Sequence, residues 1–133
     1  ADRGGFSKAK PLNKIGRKGQ DTCELFFDDV RVPQENLLGL ESMGFIMLMK
    51  ELAWERLIVA IMCQAGAEAA FAHTVKYTKE RQAFGKSISH FQNTRFKLAE
   101  MRTEIEFCRA YLDRCMELQL KQELGIDAAA AAK

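Results

Sequence analysis

The chain has 133 residues, 47% hydrophobic and 29% charged, with twenty Lys and Arg against eighteen Asp and Glu for a net charge of +2. That is about the length of one ordinary domain, with enough apolar material for a core and too much for disorder. The near balance of charge speaks against a dedicated nucleic-acid binder, and no run of ~18 apolar residues marks a membrane span. The chain opens on Ala1-Asp2-Arg3-Gly4-Gly5, without Met or a signal-peptide layout, and stops inside the helix-favouring run Ala128–Ala132. It therefore reads as a segment of a longer chain.

Three textures follow in chain order. Residues 1–33 read as β structure, with a polar strand over Lys10–Lys14 and a second over Cys23–Val32. In the second, β-branched and aromatic residues alternate between Gly19 and Pro33, the pattern of a half-buried strand. Residues 34–44 read as a connector, with the turn residues Asn36, Gly39 and Gly44 and no sustained period.

From Phe45 the period changes to that of a helix. Ile46, Met49, Ala53, Leu57 and Ala60 recur at threes and fours, continued by Ala65, Ala69, Ala72 and Val75, with no Pro before Arg81. A break at Phe84-Gly85 leads to a second helix from Ser89 or Phe91 to Leu124, with Gly125 as its C′ glycine. Its stripe is Leu98, Met101, Ile105, Cys108, Leu112 and Cys115. Two long helices joined by a short turn are expected to lie antiparallel, with apolar faces wide enough to need further bundle partners.

Two windows break the apolar pattern. Between Leu52 and Cys63 almost every residue is apolar except Glu55 and Arg56. Charges there are costly unless each has a partner or a task. They either pair with other helices of a bundle or form a site, in which an apolar pocket would raise the carboxylate toward the range of a general base. The second window is the turn Thr78–Gln92, with Arg81 and Lys86 beside a helix start. It is either a solvated turn capped by Ser87 or Ser89 or a cradle for an anionic phosphate. His73 and His90 show no catalytic constellation and read as surface or capping residues. Cys23, Cys63, Cys108 and Cys115 include no C-x-x-C pair and no metal-site spacing. They read as buried reduced thiols in a reducing intracellular compartment.

The order and spacing of several motifs then resemble one family. Glu80-Arg81-Gln82-Ala83-Phe84-Gly85-Lys86, followed by Phe91-Gln92 and Lys97-Leu98-Ala99-Glu100-Met101, is similar to the acyl-CoA dehydrogenases. So are Glu24–Pro33, Leu37-Leu38-Gly39 and Gly44-Phe45 upstream, and Met49–Leu52 with Glu55-Arg56-Leu57 lean toward the long-chain branch. The resemblance implies an α+β segment: residues 1–33 as the end of a middle β domain, 34–44 as a connector, and 45–133 as the first two helices of a C-terminal helical bundle, forming a long antiparallel hairpin. It implies FAD as cofactor and α,β-dehydrogenation of acyl-CoA thioesters in fatty-acid or branched-chain oxidation. Electrons would pass to an electron-transferring flavoprotein. The whole protein would be a homo-tetramer or dimer, in the cytoplasm of a bacterium or the mitochondrial matrix of a eukaryote. A related acyl-CoA oxidase and a non-catalytic helical interaction module are the alternatives.

Residue by residue, the resemblance makes Glu55 the catalytic base, since long-chain and isovaleryl members carry it on the first bundle helix. It sets Ile46, Ala53, Trp54 and Arg56 beside the acyl-CoA substrate. It makes Arg81, Phe84 and Gln92 contacts to FAD, with Arg81 reaching the flavin of a neighbouring subunit. No metal is implied. Two positions depart from the family pattern: Ala53 stands where Pro or Asp is common, and Ile46 where long-chain members often have an aromatic. The 133 residues alone are expected to be inactive, because they hold only one edge of a flavin site.

Overall fold

A computed structural model describes residues 4–133; Ala1–Arg3, at the head of the predicted β part, lie outside the described residues. The chain divides into two compact units, Ala1–Met43 and Gly44–Lys133.

In the first unit β1 (Phe6–Lys8) pairs antiparallel with β2 (Leu25–Phe27), Phe6 opposite Phe27 and Lys8 opposite Leu25. The Phe6 and Phe27 rings pack at 5.2 Å between centroids. The ladder begins where Gly5, with φ of +83°, brings its backbone against Asp28; a Cβ there would lie 1.9 Å from the Asp28 carbonyl oxygen. Only glycine fits this approach. Lys10–Lys14 is not a strand. Past β1 only the Ala9 and Leu12 amides still donate across, to Glu24 and Thr22, because Pro11 has no N–H to continue the ladder. The second strand is also shorter than its alternation predicts, since Asp29 takes a left-handed φ of 45° and ends the extended run. A single 3-10 turn, Gln34–Asn36, follows.

In the second unit α1 spans Gly44–Glu80, 37 residues, about 55 Å at 1.5 Å per residue. No proline interrupts it and Gly66 is its only interior glycine, so helix propensity runs unbroken. After a two-residue hairpin, β3 (Gln82–Ala83) with β4 (Lys86–Ser87), and a 3-10 turn (Ile88–His90), α2 spans Gln92–Leu120. The two helices run antiparallel: Gln64 donates to the Ile105 carbonyl, while Leu57, earlier on α1, packs with Leu112 and Cys115, later on α2.

α2 stops at Leu120, four residues before the predicted end. Gln122, not Gly125, takes the left-handed position (φ 61°), and the Glu123 and Gln122 amides return to the Leu118 and Gln119 carbonyls at 2.8 and 3.0 Å. This double return is a Schellman cap. Gly125 instead precedes a third helix, α3 (Ile126–Ala132), which the sequence pattern does not separate from the second. The early turn is driven by packing: Leu124 and Ala132 settle against the core cluster of Leu57, Ala60, Leu112 and Cys115, and Ala129 is fully buried.

The seam between α1 and α2 departs from the predicted stripes on both helices: on α2, Met101 and Cys108 are exposed. Beyond Ala60 the buried line passes through Gln64, not through Ala65, Ala69 and Ala72, which are exposed. Gln64 Nε2 donates to Glu68 Oε1 and to the Ile105 carbonyl, each at 2.9 Å. Arg109 donates from Nε and Nη2 to the two Glu68 oxygens, each at 2.8 Å. A bidentate pair of this kind fixes direction as well as distance. Of the predicted buried thiols only Cys115 is buried; Cys63 and Cys108 are exposed and Cys23 is half-buried, all four unpaired. No helix is long and apolar enough to cross a membrane among the described residues.

Two stability tests follow. Leu57→Ala, at a position with no exposed surface, is expected to cost about 2–5 kcal/mol in urea unfolding. The Glu68 carboxyl is held below its ordinary value of 4.5, first by the Gln64 amide and then by Arg109. Its contribution is therefore complete above about pH 4.5 and is lost as pH falls through the depressed native value. The stability gap between the protein and Glu68→Gln should be constant at neutral pH and should close only in acid, as read by thermal unfolding across pH.

Candidate active site

The first group of candidates lies in the N-terminal half of α1. Ala53 and Leu57 are 8% and 0% exposed in the seam. Glu55 is two residues from each, and two steps of ~100° carry a side chain to the opposite side of a helix. Glu55 is accordingly exposed. One turn away on that side lie the half-buried Leu52 and Val59 and the exposed Ile58, and Leu48 and Met62 continue the stripe. The carboxylate thus interrupts an apolar surface that this unit leaves uncovered.

Trp54 and Arg56 flank Glu55 on its two sides, exposed and half-buried respectively, while Ile46 and Ala53, seven residues apart, share the seam side. The five residues do not converge on one face of α1. Ala53 and Trp54 line a separate cleft of about 520 Å³ with Lys50, Glu51, Gln119, Gln122 and Leu124. Among the described residues neither Glu55 nor Arg56 forms an ion pair, so the pairing that the sequence left open is not made among them.

The second group is built on the hairpin. Phe84 and Gly85 have φ of 53° and 77°, the two left-handed residues of a type I′ turn, which normally carries Asn-Gly. A bulky residue at such a φ is strained. The Phe84 ring stands at the tip of this turn, 95% exposed, and meets Phe91 at a near right angle with 6.2 Å between centroids. The Lys86 ammonium lies 4.6 Å from the centroid of the same Phe91 ring. Arg81 stands at the hairpin base, where its carbonyl accepts from the Ile88 amide at 2.9 Å. Its side chain is exposed and, among the described residues, has no ion-pair partner. Gln92, also exposed, opens α2.

The serines do not cap α2, as the sequence alternative expected. The N-cap is Phe91, with no side-chain hydrogen bond to the helix, so the first amides of α2 remain available donors. A lone guanidinium, a projected aromatic ring and open amides form a donor set that fits a ligand with both a phosphate and a flat ring system. Sequence reasoning missed the role of Ser87, whose hydroxyl is buried and bonded to Ser89 and His90. Its only sequence signal was a Ser-x-Ser-His run, indistinguishable from a cap. Among the described residues no group of three His, Cys, Asp or Glu could hold a metal ion.

The two groups are far apart. From Glu55 to Arg81 is 26 residues, nearly all on one helix, or about 39 Å of rise.

Comparison with known proteins adds the following. Residues 42–133 match the family model for the acyl-CoA dehydrogenase C-terminal domain. The long-chain specific acyl-CoA dehydrogenase of Sus scrofa mitochondria is 47% identical over 129 residues, covering 97% of this chain and 30% of that protein. Mitochondrial isovaleryl-CoA dehydrogenase of Pongo abelii is 44% identical over 108 residues, covering 81% of this chain and 26% of its own length. The crystal structure of an acyl-CoA dehydrogenase from Geobacillus kaustophilus superimposes with a TM-score of 0.92 at 46% identity, covering 99% of this chain and 35% of that one. The chain therefore spans about 30% of the length of the long-chain relative.

The hairpin geometry yields one test. Phe84→Asn removes backbone strain of about 1–3 kcal/mol while sacrificing an exposed ring contact, so it is expected to raise stability by on the order of 1 kcal/mol. Urea unfolding reads this directly; a loss of stability would show that the ring contact outweighs the strain.

Proposed function

This chain belongs to the acyl-CoA dehydrogenase family, and from that premise we propose that it is part of an FAD-dependent enzyme that desaturates acyl-CoA thioesters between Cα and Cβ. The observation that carries the reading is Glu55: a carboxylate with no ion-pair partner among the described residues, set in an apolar and uncovered face of α1, in the Glu-Arg-Leu position where long-chain and isovaleryl members carry their base. An apolar wall gives a carboxylate its strongest pull on an adjacent acidic C–H once water is excluded.

In this reading Glu55 takes the α-proton of the acyl thioester, and the Cα–H electron pair becomes the new π bond as a hydride leaves Cβ. FAD, when bound, supplies the hydride acceptor. Arg56, half-buried beside the base, lends positive charge to the substrate pocket. Trp54, Ala53 and Ile46 shape the route of the acyl chain on the adjoining sides of α1. Residues 1–33 belong to the end of a β domain, 34–44 to a connector, and 45–133 to the opening helices of the C-terminal bundle.

Arg81, Phe84 and Gln92 hold FAD: the guanidinium on phosphate, the ring against the cofactor, the amide as a polar contact. The separation of about 39 Å along α1 is more than one cofactor bridges, which supports Arg81 serving the flavin of a neighbouring subunit in a homodimer or tetramer. Electrons then leave for an electron-transferring flavoprotein, and the setting is the mitochondrial matrix or the bacterial cytoplasm.

Glu55→Gln in the whole enzyme is expected to lower turnover by roughly 10²–10⁴-fold, the usual worth of a positioned base, with bound FAD unchanged in its visible spectrum. Turnover within a few-fold of the parent would transfer the role of base to another carboxylate.

A further inference from the structure

We infer that Ser87 and His90 are positioning residues for the cofactor-facing hairpin: the hydrogen bond between them sets the placement of Phe84, Lys86 and Gln92 relative to Arg81. The inference rests on the reading of Arg81, Phe84 and Gln92 as cofactor contacts, and it assigns a task to two residues which that reading leaves idle.

Ser87 closes β4 opposite Gln82, and its side chain points inward, the residue being 8% exposed. The hydroxyl lies 2.7 Å from Ser89 Oγ and 2.8 Å from His90 Nδ1. A serine hydroxyl has one proton to give and lone pairs to receive, so it can donate to one of these partners and accept from the other. The bond folds the turn that follows β4 back onto the end of that strand. On one side is a hairpin of only two residue pairs, marginal by itself and strained at Phe84. On the other is the 3-10 turn that leads into α2, closed by the Phe91 amide on the Ile88 carbonyl at 3.2 Å.

What hangs on that turn explains why its angle matters. Phe91 follows His90 directly. Its ring meets that of Phe84 at a near right angle and lies under the ammonium of Lys86, and Gln92 is the next residue. Any rotation of the turn about Ser87 carries Phe91 with it, and with Phe91 both hairpin side chains. Arg81 is joined to the same frame through the Ile88 amide. Neither Ser87 nor His90 is needed to cap α2, and His90 is exposed, so a contribution to core packing does not account for their bond.

The test uses the whole enzyme, stripped of flavin and titrated with FAD by fluorescence. Ser87→Ala and His90→Ala are each expected to weaken FAD binding by roughly tenfold, the upper range for one net hydrogen bond. The double variant should be no weaker than Ser87→Ala alone, since without the Ser87 hydroxyl His90→Ala has no bond to it left to remove. His90→Asn, which returns an acceptor near the Nδ1 position, should recover affinity to within about threefold. In the flavin-free protein, hydrogen exchange at the Ile88 and Phe91 amides should quicken in both alanine variants and return to the parent rate in His90→Asn. Arg81→Ala distinguishes loss of the positioning bond from loss of the cofactor site itself. If it loses FAD while the Ser87 and His90 variants bind normally, the positioning inference is overturned and the cofactor reading stands. If Arg81→Ala itself binds FAD like the parent, the cofactor reading fails and takes the inference with it. An additive double variant, or no recovery in His90→Asn, would also overturn the shared bond.

Discussion

The linkage of Gln64, Glu68, Arg109 and the Ile105 carbonyl decides how α1 lies on α2, and the rest of the second unit follows from that register. Gln64 is 5% exposed and reaches both a carboxylate on its own helix and a carbonyl on the other. Arg109 meets the same carboxylate in two parallel bonds. Apolar stripes tolerate sliding by a turn with modest loss, whereas a bidentate pair backed by an amide fits one offset. With the offset set, Leu57 falls opposite Leu112 and Cys115, and α3 has a surface to close on.

The same register settles which side of α1 is left open. A helix that is apolar all round belongs in the interior of something larger. Here α2 and α3 cover one stripe, while Phe45, Leu48, Ile58 and Met62 stay in contact with solvent. Glu55 sits in the uncovered part because it is half a turn out of phase with Ala53 and Leu57. A charge is tolerated there, and would be costly in the seam, because water reaches it.

The hairpin at the other end of α1 follows a different logic. A turn whose geometry favours Asn-Gly holds Phe-Gly, and the outcome is an aromatic ring standing in solvent on a strained backbone. Local structure that departs from its best sequence marks places selected for contact more than for stability. The surrounding bonds, from Ser87 to His90 and from Phe91 to Phe84 and Lys86, hold that arrangement in place.

The sequence by itself determined the two long helices, their antiparallel arrangement and the basic turn between them, because each depends on neighbours within four residues: unbroken 3.6-residue periodicity, the absence of proline, and a Phe-Gly break. It also singled out Glu55 and Arg56, since charges in an apolar run are visible without coordinates. Only the tertiary structure decided the rest. Gln64 took the seam in place of Ala65 because the Ile105 carbonyl that it meets lies 41 residues away. Gln122 took the left-handed position in place of Gly125 because Leu124 and Ala132 must reach the core cluster of Leu57, Ala60, Leu112 and Cys115. Phe6–Lys8 took the strand in place of Lys10–Lys14 because an amide that Pro11 lacks is needed to meet a distant carbonyl. Ser87 became a tie and not a cap because His90 and Ser89 turned back toward it. In each case the deciding energy is a contact between distant segments or a local bond whose direction depends on them, and a linear pattern of residue types holds no record of either.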